Sequence, residues 1–233
     1  MVKNVMKNKP YIYNFDTMAE DYDSWYITRK GALYERFEKE GVLKMLSPAA
    51  SGKELLDVGC GTGHWNSFFR EQGYRVTGID ISKAMINLAN NNAIPGSKFV
   101  IGDAHYLPFE DETFDVSVAI TTLEFVRNPT AVVRELVRCT SKSGGRVVVG
   151  VLNCCARINR NRQSNRIQPY ADAWFLSPRQ LRNMLQPYGE TDIFTTAFVP
   201  GLKCLYPFSS LFNTVGNILH LPTGAFIIGS IKR

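Results

Sequence analysis

The sequence predicts an α/β fold: a Rossmann-like, seven-stranded, mostly parallel sheet with helices on both faces and the last strand antiparallel. Three observations predict it. From residue 54 onward, short apolar runs alternate with longer amphipathic segments, the βαβα texture of a doubly wound sheet. The run Val147-Val148-Val149 is uninterrupted and apolar, as strands buried on both faces are. An apolar segment runs into the loop Gly59-Cys60-Gly61-Thr62-Gly63, and a helical pattern starts directly behind it.

Each element follows in order. Up to Leu46, a cluster of aromatics (Tyr11, Tyr13, Phe15, Tyr22, Trp25, Tyr26) leads into Leu33, Phe37, Gly41 or Val42, Met45 and Leu46. Their spacing of three or four predicts one or two helices ahead of the sheet. Strands are expected at 55–58, 75–79, 98–101, 114–120 and 145–151, with helices at 65–72, 82–91 and 130–140 between them. Past Leu152 the pattern breaks into a polar, Arg- and Asn-rich stretch to about Phe175, too long for a plain connection and read as a lid or binding loop. Ser177-Pro178 supplies an N-cap and a first-turn proline for a helix to Leu185. Residues 190–199 alternate as a strand, 200–222 are aromatic and punctuated by Gly and Pro, and 225–231 close the chain as a buried strand that forms a hairpin with 190–199. The expected organisation is an N-terminal helical lid (1–50) on an α/β domain (51–233) with insertions at about 153–176 and 200–222.

Composition narrows the function. The 233 residues are 45% hydrophobic and 21% charged, an ordinary globular balance that excludes collagen-like and disordered classes. No apolar run approaches the ~20 residues of a bilayer-spanning helix. Residues 1–10 carry no apolar core of a secretory signal, so a cytoplasmic location is expected. Five cysteines (Cys60, Cys139, Cys154, Cys155, Cys204) without a CxxC pair suggest neither a disulfide framework nor a zinc site. The net charge of +6 sits in the last third, where nine basic residues face three acids. Arg157, Arg160, Arg162 and Arg166 hold much of it, and a solvated loop or an anionic substrate would each account for them.

The chemistry-bearing motif is residues 54–65. Glycines are needed where a side chain would keep the backbone from closing on a ligand and where turns require positive φ. Gly78-Ile79-Asp80 ends the next strand, about twenty residues on, where a carboxylate can accept hydrogen bonds from both ribose hydroxyls. Gly102-Asp103-Ala104 ends the third.

These residues resemble the class I S-adenosylmethionine-dependent methyltransferases, specifically the small-molecule, ubiquinone/menaquinone-biosynthesis-like, type 11 group. The resemblance covers residue 16 to about 150 and includes Ala19-Glu20-Asp21-Tyr22-Asp23-Ser24-Trp25-Tyr26, Leu56-Asp57-Val58-Gly59-Cys60-Gly61-Thr62-Gly63 and Leu107-Pro108-Phe109. It implies S-adenosylmethionine as cofactor, with Asp57, Gly59, Cys60 and Gly61 along its methionine portion and Asp57 near the ammonium. Asp80 would grip the ribose, Ile81 and Met85 would flank the adenine, and Asp103 with Ala104 would meet the adenine edge. Thr121 would floor the pocket, and Tyr22 and Trp25 would close over it. The acceptor implied is a small molecule rather than a nucleic acid, acted on by a monomer or homodimer.

Methyl transfer from a sulfonium is an in-line displacement that needs positioning more than acid–base machinery. Should a base be required, Glu124 is the catalytic candidate, with a helix-start charge as its plainer reading. His105 is expected on the adenine side, and His64 in a first helical turn. The glycine spacing departs from the GxGxxG of nicotinamide enzymes. Ile120-Thr121-Thr122-Leu123-Glu124 lacks the Pro-Pro run of adenine N-methyltransferases. Cys154-Cys155 lies where some RNA cytosine methyltransferases keep a nucleophile, with inert thiols the alternative. The rival functions are a same-fold enzyme acting on RNA or protein, and a non-catalytic S-adenosylmethionine-binding module.

Overall fold

The computed structural model describes residues 11–46 and 52–233. The segment 1–10 and the far end of the expected 1–50 lid lie outside the described residues. Seven strands, β1 (Glu54–Val58), β2 (Arg75–Asp80), β3 (Ser97–Ile101), β4 (Val116–Ile120), β5 (Arg146–Leu152), β6 (Glu190–Thr196) and β7 (Phe226–Lys232), form one sheet in the order β3-β2-β1-β4-β5-β7-β6. Strands β1 to β5 pair in parallel, and β7 runs antiparallel to both β5 and β6, so the expected C-terminal hairpin and single reversed strand are present. The order reverses between β1 and β4, and a crevice opens at the carboxyl ends of strands at such a switch point.

Seven α-helices are described: α1 (Arg29–Met45), α2 (His64–Glu71), α3 (Lys83–Asn91), α4 (Pro129–Cys139), α5 (Arg157–Ser164), α6 (Pro178–Leu185) and α7 (Ser209–Ile218). Their starts are written locally. The Thr28 hydroxyl caps α1 by accepting from Gly31 N–H, Asn128 caps α4 ahead of a first-turn proline, and Ser177 with Gln180 forms a capping box on α6. Two apolar clusters sandwich the sheet. One packs Tyr34, Phe37 and Val42 of α1 with Trp65, Phe68 and Phe69 of α2, and the other packs Val132, Val133 and Leu136 of α4 with Leu181 and Leu185 of α6. Helix α1 lies close on β7, because Gly41 presents no side chain where a Cβ would stand 2.4 Å from Ile228 Cδ1.

Three expectations change. The fourth strand begins at Val116, with Phe114 making only an isolated bridge to Thr140. Ahead of α1 the aromatic segment folds as two short 3-10 turns, Phe15–Thr17 and Tyr22–Trp25. The stretches expected as a loop and as a punctuated segment contain α5 and α7. Helix α5 lacks an apolar period because hydrogen bonds hold it to the body: the Nδ2 of buried Asn159 donates to the carbonyls of Asn153 and Ala225.

Candidate active site

The loop after β1 is shaped by its backbone. Gly59, Gly61 and Gly63 have φ of +76°, +54° and +82°, a region that L side chains enter only under strain. The amides of Gly59 and Cys60 donate to the Ile79 carbonyl at 2.7 and 3.1 Å, pinning the loop to the end of β2. A Cβ on Gly61 would point between Met85 Sδ and Tyr22 Cε1, each 3.9 Å away, so the bare backbone faces a cleft.

Asp80 organises the next layer. Its Oδ2 accepts from Gly61 N–H at 2.9 Å and its Oδ1 from Ser82 N–H at 2.8 Å. Burial raises its pKa, and those amides oppose the rise. Asp57 is buried beneath the loop with Oδ2 lacking a hydrogen-bond partner, and desolvation followed by the Asp80 charge pushes it up to about 8. Asp103 is held by His105, whose backbone N–H and Nδ1 both reach Asp103 Oδ1, at 2.9 and 2.6 Å. Because His105 Nε2 accepts from Asn128 N–H, the ring proton sits on Nδ1 and is donated to Asp103. His105 therefore fixes the orientation of the Asp103 carboxylate on the wall of this cleft.

The cleft these groups border is lined by Tyr22, Gly59, Gly61, Asp80, Ile81, Met85, Asp103, Ala104 and Thr121, nine of the twelve residues implied by the resemblance. Thr121 has φ +49°, a strained conformation for a β-branched residue and one that the chain holds at the cleft floor. Asp57 and Cys60 lie behind the loop, where the Cys60 thiol packs against Gly78. Trp25 lines a second cavity instead. The sequence reading missed Phe15, Phe125 and Val126 as cleft residues. The aromatic run ahead of α1 signalled Phe15, but no local pattern marks the other two.

The N-terminal segment is fastened over the cleft. Asp16 Oδ1 accepts from the Ser82 hydroxyl at 2.6 Å, the Thr62 hydroxyl donates to Asp23 at 2.9 Å, and Tyr26 stacks on His64 at 3.9 Å. His64 also reaches Glu35 of α1 at 2.6 Å, so it ties the segment down rather than merely opening a helix.

The second cavity, of about 1110 Å³, lies between this segment, α5 and residues 197–212. Phe15, Tyr22, Thr121 and Phe125 border both spaces. Lys30, Arg157 and Arg162 line it together with Glu38, an almost fully buried carboxyl that burial pushes up to about 7.

Glu124, the candidate base, takes another position. It is wholly buried, its Oε1 accepts from Leu152 N–H at 2.6 Å, Oε2 has no hydrogen-bond partner, and burial pushes it up to about 8. It braces the end of β5 from inside. Burial and the neighbouring Cys155 raise the pKa of the Cys154 thiol, opposite to what a thiolate nucleophile needs.

Comparison with known proteins agrees with this geometry. Residues 56–149 match the family model described as a methyltransferase domain. An uncharacterised protein of Methanocaldococcus jannaschii is 32% identical over 184 residues, covering 78% of this chain and 83% of its own. The demethylmenaquinone methyltransferase of Thermobifida fusca is 34% identical over 140 residues, 58% of each chain, so this protein matches little more than half of that relative's length. Among solved structures, an S-adenosylmethionine-dependent methyltransferase of Thermotoga maritima, titled a possible histamine N-methyltransferase, superposes with a TM-score of 0.73 at 21% identity, covering 94% of this chain and 97% of its own.

Proposed function

Because the chain belongs to the S-adenosylmethionine-dependent methyltransferases, we propose that it methylates a small-molecule acceptor held in the large cavity beside the cofactor cleft. The observation that carries this reading is the shared wall of Phe15, Tyr22, Thr121 and Phe125, which puts a roomy compartment directly against the cleft. The cleft residues fit the cofactor. Asp57, with an unpartnered buried oxygen, suits an ammonium, and the bare Gly61 backbone admits the methionine chain. Asp80, preset by two amides, offers its remaining lone pairs to ribose hydroxyls. Ile81 and Met85 flank the adenine, and Asp103 with Ala104 meets its edge.

Bound there, S-adenosylmethionine supplies a methyl group on a sulfonium leaving group. The protein's task is orientation: Tyr22 and Thr121 fix the boundary at which acceptor and methyl meet, and the fastened N-terminal segment acts as a lid that excludes water. Glu38, with a pKa near neutrality and a place on the cavity wall, is the group suited to take a proton from a protic acceptor.

Calorimetric titration with S-adenosylhomocysteine, with NADH as control ligand, tests the cofactor assignment. Saturable binding of the first alone supports it. Binding of NADH, or of neither, refutes it.

A further inference from the structure

We propose that the acceptor is an amphipathic anion, its acid group held by Arg162 and Lys30 and its apolar body lying along Phe198, Leu202, Leu205 and Phe212. This rests on the large cavity being the acceptor site and names the chemistry that the cavity selects.

One wall is cationic and unneutralised. Lys30, Arg157 and Arg162 all line the cavity, and among the described residues none lies within ion-pair distance of a carboxylate. The Arg162 guanidinium lies over two aromatic rings, with its carbon 4.3 Å from the Tyr170 ring centroid and 5.0 Å from that of Trp25, and its Nη1 donates to Asn159 Oδ1 at 3.1 Å. Three contacts thus fix the plane of a group with five N–H donors, leaving most of them for a ligand and pre-organising it to read a carboxylate or phosphate. The Lys30 ammonium is half-buried, and burial first and the Arg162 charge second lower its pKa. Two cations confined in one compartment repel each other, and an anion between them relieves both. Of the acids on the lining, Asp21 is exposed, and Glu38, which burial pushes up to about 7 against the opposing charge of Arg162, is only about half ionised at neutral pH, so neither supplies a full counter-charge there.

Another part of the lining is apolar. Phe198, Val199, Leu202, Leu205 and Phe212 line it, and no acid occurs between residue 193 and the end of the chain. Leu202 is 65% exposed and Phe212 44%, so this wall continues outward into a greasy lip. At about 1110 Å³ the cavity exceeds the ~300–1,000 Å³ of most small-ligand sites, which leaves room for a tail behind the acid group.

The test uses the full chain saturated with S-adenosylhomocysteine and titrated calorimetrically with octanoate, octan-1-ol, octylamine and acetate. Octanoate is expected to bind at least about tenfold more tightly than octanol or octylamine, and acetate not to saturate. Arg162→Gln should bring octanoate to the affinity of octanol without changing the affinity for S-adenosylhomocysteine, which also shows that the variant is folded. Phe212→Ser should weaken octanoate and octanol together. Octylamine or octanol binding as well as octanoate, no binding of octanoate, or an unchanged preference in Arg162→Gln would overturn the proposal. Failure of the wild type to bind S-adenosylhomocysteine would instead strike the underlying reading.

Discussion

Replacing Glu124 by Gln separates a structural carboxyl from a catalytic one. The Glu124 side chain is wholly buried, and burial pushes it from an ordinary 4.5 up to about 8. In the unfolded chain it releases its proton near the ordinary value, whereas the folded protein keeps the proton until about pH 8. The folded state therefore binds the extra proton, and this contribution to stability is complete below the unfolded pKa and declines as pH rises through the folded one. Each pH unit in that window costs about 1.4 kcal/mol, so moving from pH 5.5 to 7.5 costs about 3 kcal/mol from this group alone. Glutamine is neutral throughout and keeps an oxygen to accept from Leu152 N–H, standing in for the protonated acid. Urea unfolding of both proteins from pH 4 to 8.5 should give a stability difference that is flat below about pH 4.5. It should then grow in favour of the variant, by about 3 kcal/mol between pH 5.5 and 7.5. A constant difference, or a variant that loses stability relative to wild type as pH rises, would mean that Glu124 is ionised in the fold and that the reasoning is wrong. Methyl transfer by the variant should persist, and a collapse of kcat with stability intact would restore Glu124 as the base.

Asp80→Ala removes the acceptor for two amides and for the ribose, and should weaken S-adenosylhomocysteine by about 100-fold or more in calorimetry, consistent with ~3 kcal/mol for charge-assisted contacts. Affinity for S-adenosylhomocysteine should rise about tenfold per pH unit up to about pH 8, as Asp57 ionises to meet the ligand ammonium, and Asp57→Asn should flatten that profile. Gly59→Ala places a Cβ 2.3 Å from Thr122 Oγ1 at φ +76° and should destabilise by about 2–5 kcal/mol in thermal unfolding. Gly144→Ala, also at positive φ but with nothing within 4 Å, should cost only about 1–2 kcal/mol, separating backbone strain from collision.

The two spaces of the site are built by different means. The glycine-loop cleft is assembled from the ends of β1 to β4 under the N-terminal segment, and its polar groups are held by contacts with close neighbours, as with Asp80 on Gly61 or His105 on Asp103. The large cavity proposed for the acceptor has walls from residues distant in the chain, among them Tyr34, Thr121, Arg162 and Phe212. Under the proposed reading the first space holds the cofactor and the second selects the acceptor, a division that leaves the loops and short helices of the second free of the sheet's own packing demands.

What was legible in the chain follows the same division. Strands β1 to β5, the hairpin of β6 and β7, the helix cap at Ser177 and the glycines of the loop after β1 are local signals, because an apolar period, a cap or a positive φ is a demand on a few adjacent residues. Asp80 and Asp103 were readable because a strand end fixes where its next residue points. The burial of Glu124, the proton on His105 Nδ1, the strained Thr121 and the stacked Arg162 were not, since each depends on neighbours contributed by other elements. Helix α5 escaped notice for a related reason: a helix docked through Asn159 and a cation over aromatic rings has no apolar stripe to betray it, and the contacts that hold it exist only after the chain has folded.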